Sequence, residues 1–326
     1  MIRLSNAAQE GAAAAGRPRR VPALDVARGV AVVAMVVYHA AWDLSALRLW
    51  AIDITAEPAW QAFARAIAGT FLFLAGAGLV LAHGEGVRLR AFLKRLLTLA
   101  IAAGLVTLGT WLVFPEAYVF FGILHAIAVA SVLGLPFSRL PALGAVGAAL
   151  AIGAVPFLPA PPFADWPALR FLGLGPVPVT NDWVPVFPWA AALFAGIAAA
   201  KLGRAGLALL PEPGRAGRAL AWLGRHSLVI YLLHQPILFG ALSGLAALTG
   251  PNPEALSGPF VRSCQQSCTA QGQGEALCRR TCGCAAAALR DDALWPKILS
   301  GDLAPEENRR VGETAQSCFR RERGAP

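Results

Sequence analysis

Seven stretches of mostly apolar residues, near 22–43, 59–83, 92–114, 118–136, 141–158, 184–201 and 220–248, decide most of what this chain can fold into. Roughly 20 such residues in a helix cross the hydrocarbon core of a bilayer. Composition agrees. With 56% apolar residues, 14% charged residues and a mean hydropathy of +0.56, the chain is too greasy and too sparsely charged for a soluble domain. The expected fold is all-α: a polytopic membrane protein of about seven transmembrane helices. The fifth window is the weakest, because Pro156, Pro159, Pro161 and Pro162 crowd its end.

Lysine and arginine in short loops set orientation, since they accumulate on the cytoplasmic side. Fourteen lie in the N-terminal segment and alternate loops, against only Arg48 and Arg170 in the intervening ones. The segment 1–21 is therefore expected in the cytoplasm, a transmembrane domain over 22–250, and a tail over 251–326 on the outside. Residues 1–21 make a poor signal peptide, because the apolar run follows the basic cluster RPRR and is too long for a cleaved segment. The first helix is expected to be retained. The net charge of +9 resides in cytoplasmic loops, so it reads as topology and contact with anionic lipid rather than nucleic-acid binding. No repeat, nucleotide-binding loop or HExxH-type metal motif stands out, and no metal is expected.

All six cysteines fall in the tail, at Cys264, Cys268, Cys278, Cys282, Cys284 and Cys318. An even set confined to one soluble segment points to disulfides and an oxidising compartment, in keeping with an external tail. The spacing C-x3-C-x9-C-x3-C puts each pair one turn apart on a helix, with TAQGQGEAL between them to turn the chain. An antiparallel hairpin would join Cys264 to Cys282 and Cys268 to Cys278, leaving Cys284 for Cys318. Zinc is the rival, disfavoured by the absence of histidine from the tail. A tail of this size has little core and needs such staples.

The first window, LDVARGVAVVAMVVYHAAWDL, carries Asp25, Arg28, His39 and Asp43, although an ionisable group in hydrocarbon is costly and usually functional. At 100° per residue all four fall on one face, with Arg28 and His39 about 16 Å apart along the axis. Arg28 lies near the cytoplasmic mouth, His39 and Asp43 beyond the middle. His39 and Asp43 are one turn apart, so the carboxylate can orient the imidazole as a general base. The plain alternative is a buried histidine satisfied by a neighbouring helix.

The R-x10-H pattern of Arg28 and His39, preceded by Leu24 and Asp25, resembles the first helix of the transmembrane acyltransferase superfamily. TFLFLAGAGLVL (70–81), YVFFGILHAIAVASVLGLPF (118–137), NDWVPVFPWAAALFAGIA (181–198) and LGRHSLVIYLLHQPIL (223–238) resemble the bacterial relatives of the heparan-alpha-glucosaminide N-acetyltransferase catalytic domain. This resemblance, over roughly 18–245, implies a bacterial inner-membrane enzyme that takes an acyl group from acyl-CoA (acetyl-CoA) at the cytoplasmic side. The group would pass to an amine or hydroxyl of a carbohydrate or glycoconjugate on the other side. Carried over, Arg28 would contact the donor and His39 would be the catalytic histidine; an acyl-histidine is a second route. Assembly with further copies of the chain is left open.

Other polar residues complete the candidate set. Arg225 and His226 start the last helix on the cytoplasmic side, where they suit the CoA phosphates or simply anchor the helix. His125 and His234 are candidates to line a central cavity. Arg65 is expected to bridge Asp43. Asp182 either caps the sixth helix or meets the acceptor sugar. The competing function is a proton-coupled transporter or flippase using the same His and Asp groups; a third is a scaffold for the tail, in which Arg28 and His39 would be dispensable.

Overall fold

A computed structural model describes residues 21–203, 212–290 and 292–324. The expected cytoplasmic segment 1–21, apart from Val21, lies outside these residues, as does Arg204. Among the described residues the structure is helical, with one isolated bridge between Phe121 and Trp183.

Four helices are long and apolar enough to cross a membrane: α1 (Pro22–Ala46), α2 (Pro58–His83), α3 (Leu89–Val113) and, later in the chain, Ser227–Thr249. Three shorter apolar helices stand at the fourth, fifth and sixth windows: α4 (Ile123–Gly134), α5 (Ala142–Ala154) and α6 (Val186–Leu202). Seven spans were expected from hydropathy, and length supports four. The fourth window shortens because Tyr118–Gly122 is not helical: Asn181 N–H donates to the Ala117 carbonyl at 2.9 Å and Val184 N–H to Phe121 at 3.1 Å. The seventh window breaks at His226 into the amphipathic α7 (Arg215–Arg225) and α8 (Ser227–Thr249).

Several helices start at proline, whose missing N–H costs nothing in a first turn: Pro22, Pro58, Pro253 and Pro305. On α3, Leu97, Ile101, Leu105, Leu108 and Leu112 form a stripe in which each residue is more than half exposed, as suits contact with lipid tails.

The described chain clusters into two compact units. The first holds the residues up to Tyr38 and Ala62–Gln235; the second holds His39–Gln61 and everything from Pro236. In the first, α5 packs on α6, α6 on α4 and α4 on α3 around Leu72, Leu79, Leu193, Phe194 and Ile197. Two further crossings are made by glycine pairs. A Cβ on Gly76 or Gly196 would strike the backbone of Leu193 or Phe73, and one on Gly29 or Gly224 that of Leu220 or Asp25. Without side chains at these points α2 meets α6, and α1 meets α7, at backbone distance, the usual device where the hydrophobic effect cannot drive helices together.

The second unit contains the tail helices α9 (Pro253–Ala270), α10 (Glu275–Arg290), α11 (Trp295–Ser300) and α12 (Pro305–Arg323). Cys264–Cys282 and Cys268–Cys278 staple α9 against α10, and Cys284–Cys318 ties α12 to α10. This is the pairing that the cysteine spacing predicts. Ala286, Leu289 and Trp295 make a small core with Phe260 and Ile298. The loop after α1 also belongs to this unit: Arg262 pairs with Asp53 at 3.2 Å and Asn252 N–H donates to the Arg48 carbonyl at 2.8 Å. The Thr55 hydroxyl, bonded at 2.6 Å, with help from Arg262, holds the Asp53 carboxyl below its ordinary value. Tail and first loop therefore lie on the same side of the membrane.

Candidate functional site

A cavity of about 110 Å³ lies in the first unit among α1, α2, α3, α4 and α8. Its polar lining is Arg28, Arg95, Ser227 and Tyr231; its apolar walls are Phe71, Leu74, Ala75, Leu99, Ile123, Leu124, Ile127 and Leu228. Arg28 and Arg95 are each the seventh residue of a helix, α1 and α3, that starts on the same side of the membrane. Both therefore enter the cavity about 9 Å beyond their helix starts.

Arg28 is fixed by its own helix. Its Nη1 donates to Asp25 Oδ1 at 3.1 Å, one turn earlier, and its Nη2 reaches the Leu74 carbonyl at 3.5 Å. A Cβ on Gly78 would come within 2.9 Å of that Nη2, so the glycine leaves the guanidinium its path. Arg95 is half-buried and within range of the Arg28 charge. Among the described residues no carboxylate pairs with it.

At the far wall, Ile123 opens α4, and its N–H donates to Asp182 Oδ2 at 3.1 Å. Burial raises the Asp182 carboxyl to about 6. Its charge acts on Tyr231, in the cavity wall, and on Tyr38. The helix that Asp182 caps is thus α4 and not α6, whose cap position is Pro185. The reason is the pairing of the 117–121 and 181–184 segments, which brings the carboxylate to α4 instead.

The remaining candidates are placed as follows. His125 does not line the cavity. Its Nδ1 accepts the Gly122 N–H at 3.2 Å, so the neutral ring carries its proton on Nε2, 3.4 Å from the Thr107 hydroxyl. Thr107 in turn donates to the Val119 carbonyl at 2.7 Å. His234 is buried just past Tyr231, with Nδ1 donating to the Tyr231 carbonyl at 2.7 Å, and is also outside the lining. Arg225 and His226 are exposed at the α7–α8 junction; His226 Nδ1 donates to the Trp222 carbonyl at 2.8 Å and its ring lies 4.5 Å from the indole. Arg65 is exposed, and Asp43, the partner expected for it, falls in the other unit. His39 and Asp43 lie one turn apart on the C-terminal part of α1, which belongs to the second unit; Asp43 is fully buried and His39 half-buried.

Arg95 is the cavity residue that sequence reasoning missed. It stands within the apolar window 92–114, where an ionisable side chain signals function, but the positive-inside rule already accounted for it. Ser227 and Tyr231, one turn apart on α8, are uncharged side chains and give no comparable signal.

The stretch that builds all of this, residues 20–236, matches the model of the family described as heparan-alpha-glucosaminide N-acetyltransferase, catalytic. It covers about two thirds of the chain and every residue of the cavity. The chain belongs to this family. No curated protein and no solved structure matches it. Membership makes the protein a membrane transferase of the acetyltransferase type, and the disulfide-linked tail lies beyond the matched region.

Proposed function

We propose that the protein transfers an acetyl or acyl group from cytoplasmic acyl-CoA to the amine or hydroxyl of a sugar or glycoconjugate on the opposite side of the plasma membrane. The observation that carries this reading is the family match over 20–236. The cavity supports it: cationic side chains at one end suit a phosphate-bearing donor, and apolar walls suit a narrow acyl-carrying arm. In this reading Arg28, steadied by Asp25, binds the donor, and the exposed Arg225 and His226 meet its phosphates outside the cavity. His39, oriented by Asp43, takes a proton from the acceptor as the acceptor nitrogen or oxygen attacks the thioester carbonyl. The new C–N or C–O bond replaces the C–S bond, and the proton passes from His39 to the departing thiolate. The N-terminus faces the cytoplasm and the tail the outside.

The test is acetyl transfer by the full chain in proteoliposomes, with labelled acetyl-CoA on one side and glucosamine-type acceptors on the other. Labelled acceptor should appear, and His39→Ala should reduce the rate at least about 100-fold, the lower end of general-base effects. Full activity in His39→Ala would refute the mechanism. Proton movement across the membrane without acyl transfer would favour a transporter.

A further inference from the structure

Arg95 is given no role of its own above, yet its surroundings are unusual. It projects from inside α3 into the cavity, where Arg28 already stands. An arginine that serves only as a topology anchor sits in a loop at headgroup level; this one is seven residues into a spanning helix and half-buried. Two guanidiniums in one low-dielectric pocket repel each other, and the nearby carboxylate, Asp25, is bonded to Arg28. The other carboxylate near the cavity, Asp182, lies at its far end on the Ile123 N–H. Arg95 thus brings a fork of N–H donors into the cavity with no acceptor among the described residues, an arrangement that is strongly disfavoured when nothing fills it. The third wall adds to the positive potential: α8 begins at Ser227, and Ser227 and Leu228 line the cavity, so the positive end of a 23-residue helix faces it.

We infer that Arg95, together with Arg28 and the start of α8, forms an anion site inside the membrane that grips a phosphate group of a soluble ligand entering from the side on which α1 and α3 begin. The inference rests on the proposed function in naming that ligand as the phosphate-bearing thioester donor. The phosphate is recognised at the double arginine, with the arm running past Phe71, Leu99 and Tyr231. Arg95 positions the donor through a planar fork, a geometry that lysine does not reproduce.

The experiment uses the full chain in phosphatidylcholine nanodiscs and measures affinity for coenzyme A, inorganic pyrophosphate and pantetheine, which has the arm without phosphate. Arg95→Gln should weaken coenzyme A and pyrophosphate about tenfold or more and leave pantetheine unchanged, with Arg95→Lys intermediate. Coenzyme A and pyrophosphate binding as tight in Arg95→Gln as in the parent would overturn the site. Should Arg95→Gln fail to fold, Arg95→Lys decides alone: unchanged pyrophosphate affinity counts against the fork. If the parent binds pyrophosphate through Arg95 but ignores coenzyme A, the anion site stands and the acyl-CoA reading falls. Stabilisation by added phosphatidylglycerol, with none by either soluble phosphate compound, would mean a lipid headgroup fills the cavity and would refute the inference.

Discussion

Asp182 Oδ2 accepts the backbone N–H of Ile123 at 3.1 Å across 59 residues of chain, so the loop before α6 holds the first turn of α4. The contact has a consequence in pH. Burial lifts the carboxyl from 3.8 in the free group to about 6, so the folded state binds the proton more tightly than the unfolded state does. Stability is then highest below pH 4, declines as pH rises to about 6, and stays reduced above it. Asp182→Asn keeps an oxygen for the Ile123 N–H and removes the titration. It should raise the melting temperature at pH 7.5, by a stability increment of at most about 3 kcal/mol, and flatten the profile between pH 4 and 6. A parent profile that rises over that interval would contradict this account.

Thr107 joins two hydrogen bonds that fix the entry to α4, donating to Val119 and facing His125 Nε2. Thr107→Val keeps the shape and loses the hydroxyl, which leaves a buried carbonyl unsatisfied. A loss of about 1–3 kcal/mol is expected, with Thr107→Ser close to the parent. Thermal unfolding in detergent checks both; equal melting temperatures for all three proteins would show that the network contributes nothing.

The sequence made some of this legible and hid the rest for definite reasons. Apolar length located the helices, because crossing a bilayer is a property of a continuous run, and the tail pairing was legible because Cys264, Cys268, Cys278 and Cys282 face one another within a local hairpin. What periodicity does not encode is contact between distant loops. The pairing of Ala117–Phe121 with Asn181–Val184 shortens α4, moves Asp182 to a different helix from the one its position suggested, and puts His125 at a turn. Arg95 was visible as a charge inside a span, but one rule about loops explained it before the cavity could.

Cys284–Cys318 closes a separation of 34 residues and holds α12 to α10. Removing it with Cys318→Ser should free the last helix, with a loss of about 3–4 kcal/mol to the tail on loop-closure grounds. Limited proteolysis of the full chain should then release fragments from Pro305–Arg323, while the Cys264–Cys282 and Cys268–Cys278 hairpin stays resistant. The proposed acyl transfer, which is assigned to the family-matched residues 20–236, should persist. Equal protease resistance in parent and variant would show that α12 is held by other contacts.

Arg262 and Asp53 lie 3.2 Å apart, which commits the tail and the loop after α1 to one face of the membrane. The pair is part-exposed and worth at most about 1 kcal/mol, so its value is topological. All six native cysteines are in disulfides, so engineered thiols give a clean signal. Ala51→Cys, in the loop, and Asn308→Cys, on α12, are exposed positions of the second unit. Val87→Cys lies at the opposite end of α2 from that loop. An impermeant maleimide applied to intact cells should label Ala51→Cys and Asn308→Cys together, and Val87→Cys only after permeabilisation. Labelling of Val87→Cys alone would reverse the orientation without separating tail from loop. Labelling of Ala51→Cys and Asn308→Cys from opposite sides would break the Arg262–Asp53 relationship, and with it the requirement that an odd number of crossings separates the N-terminus from the tail.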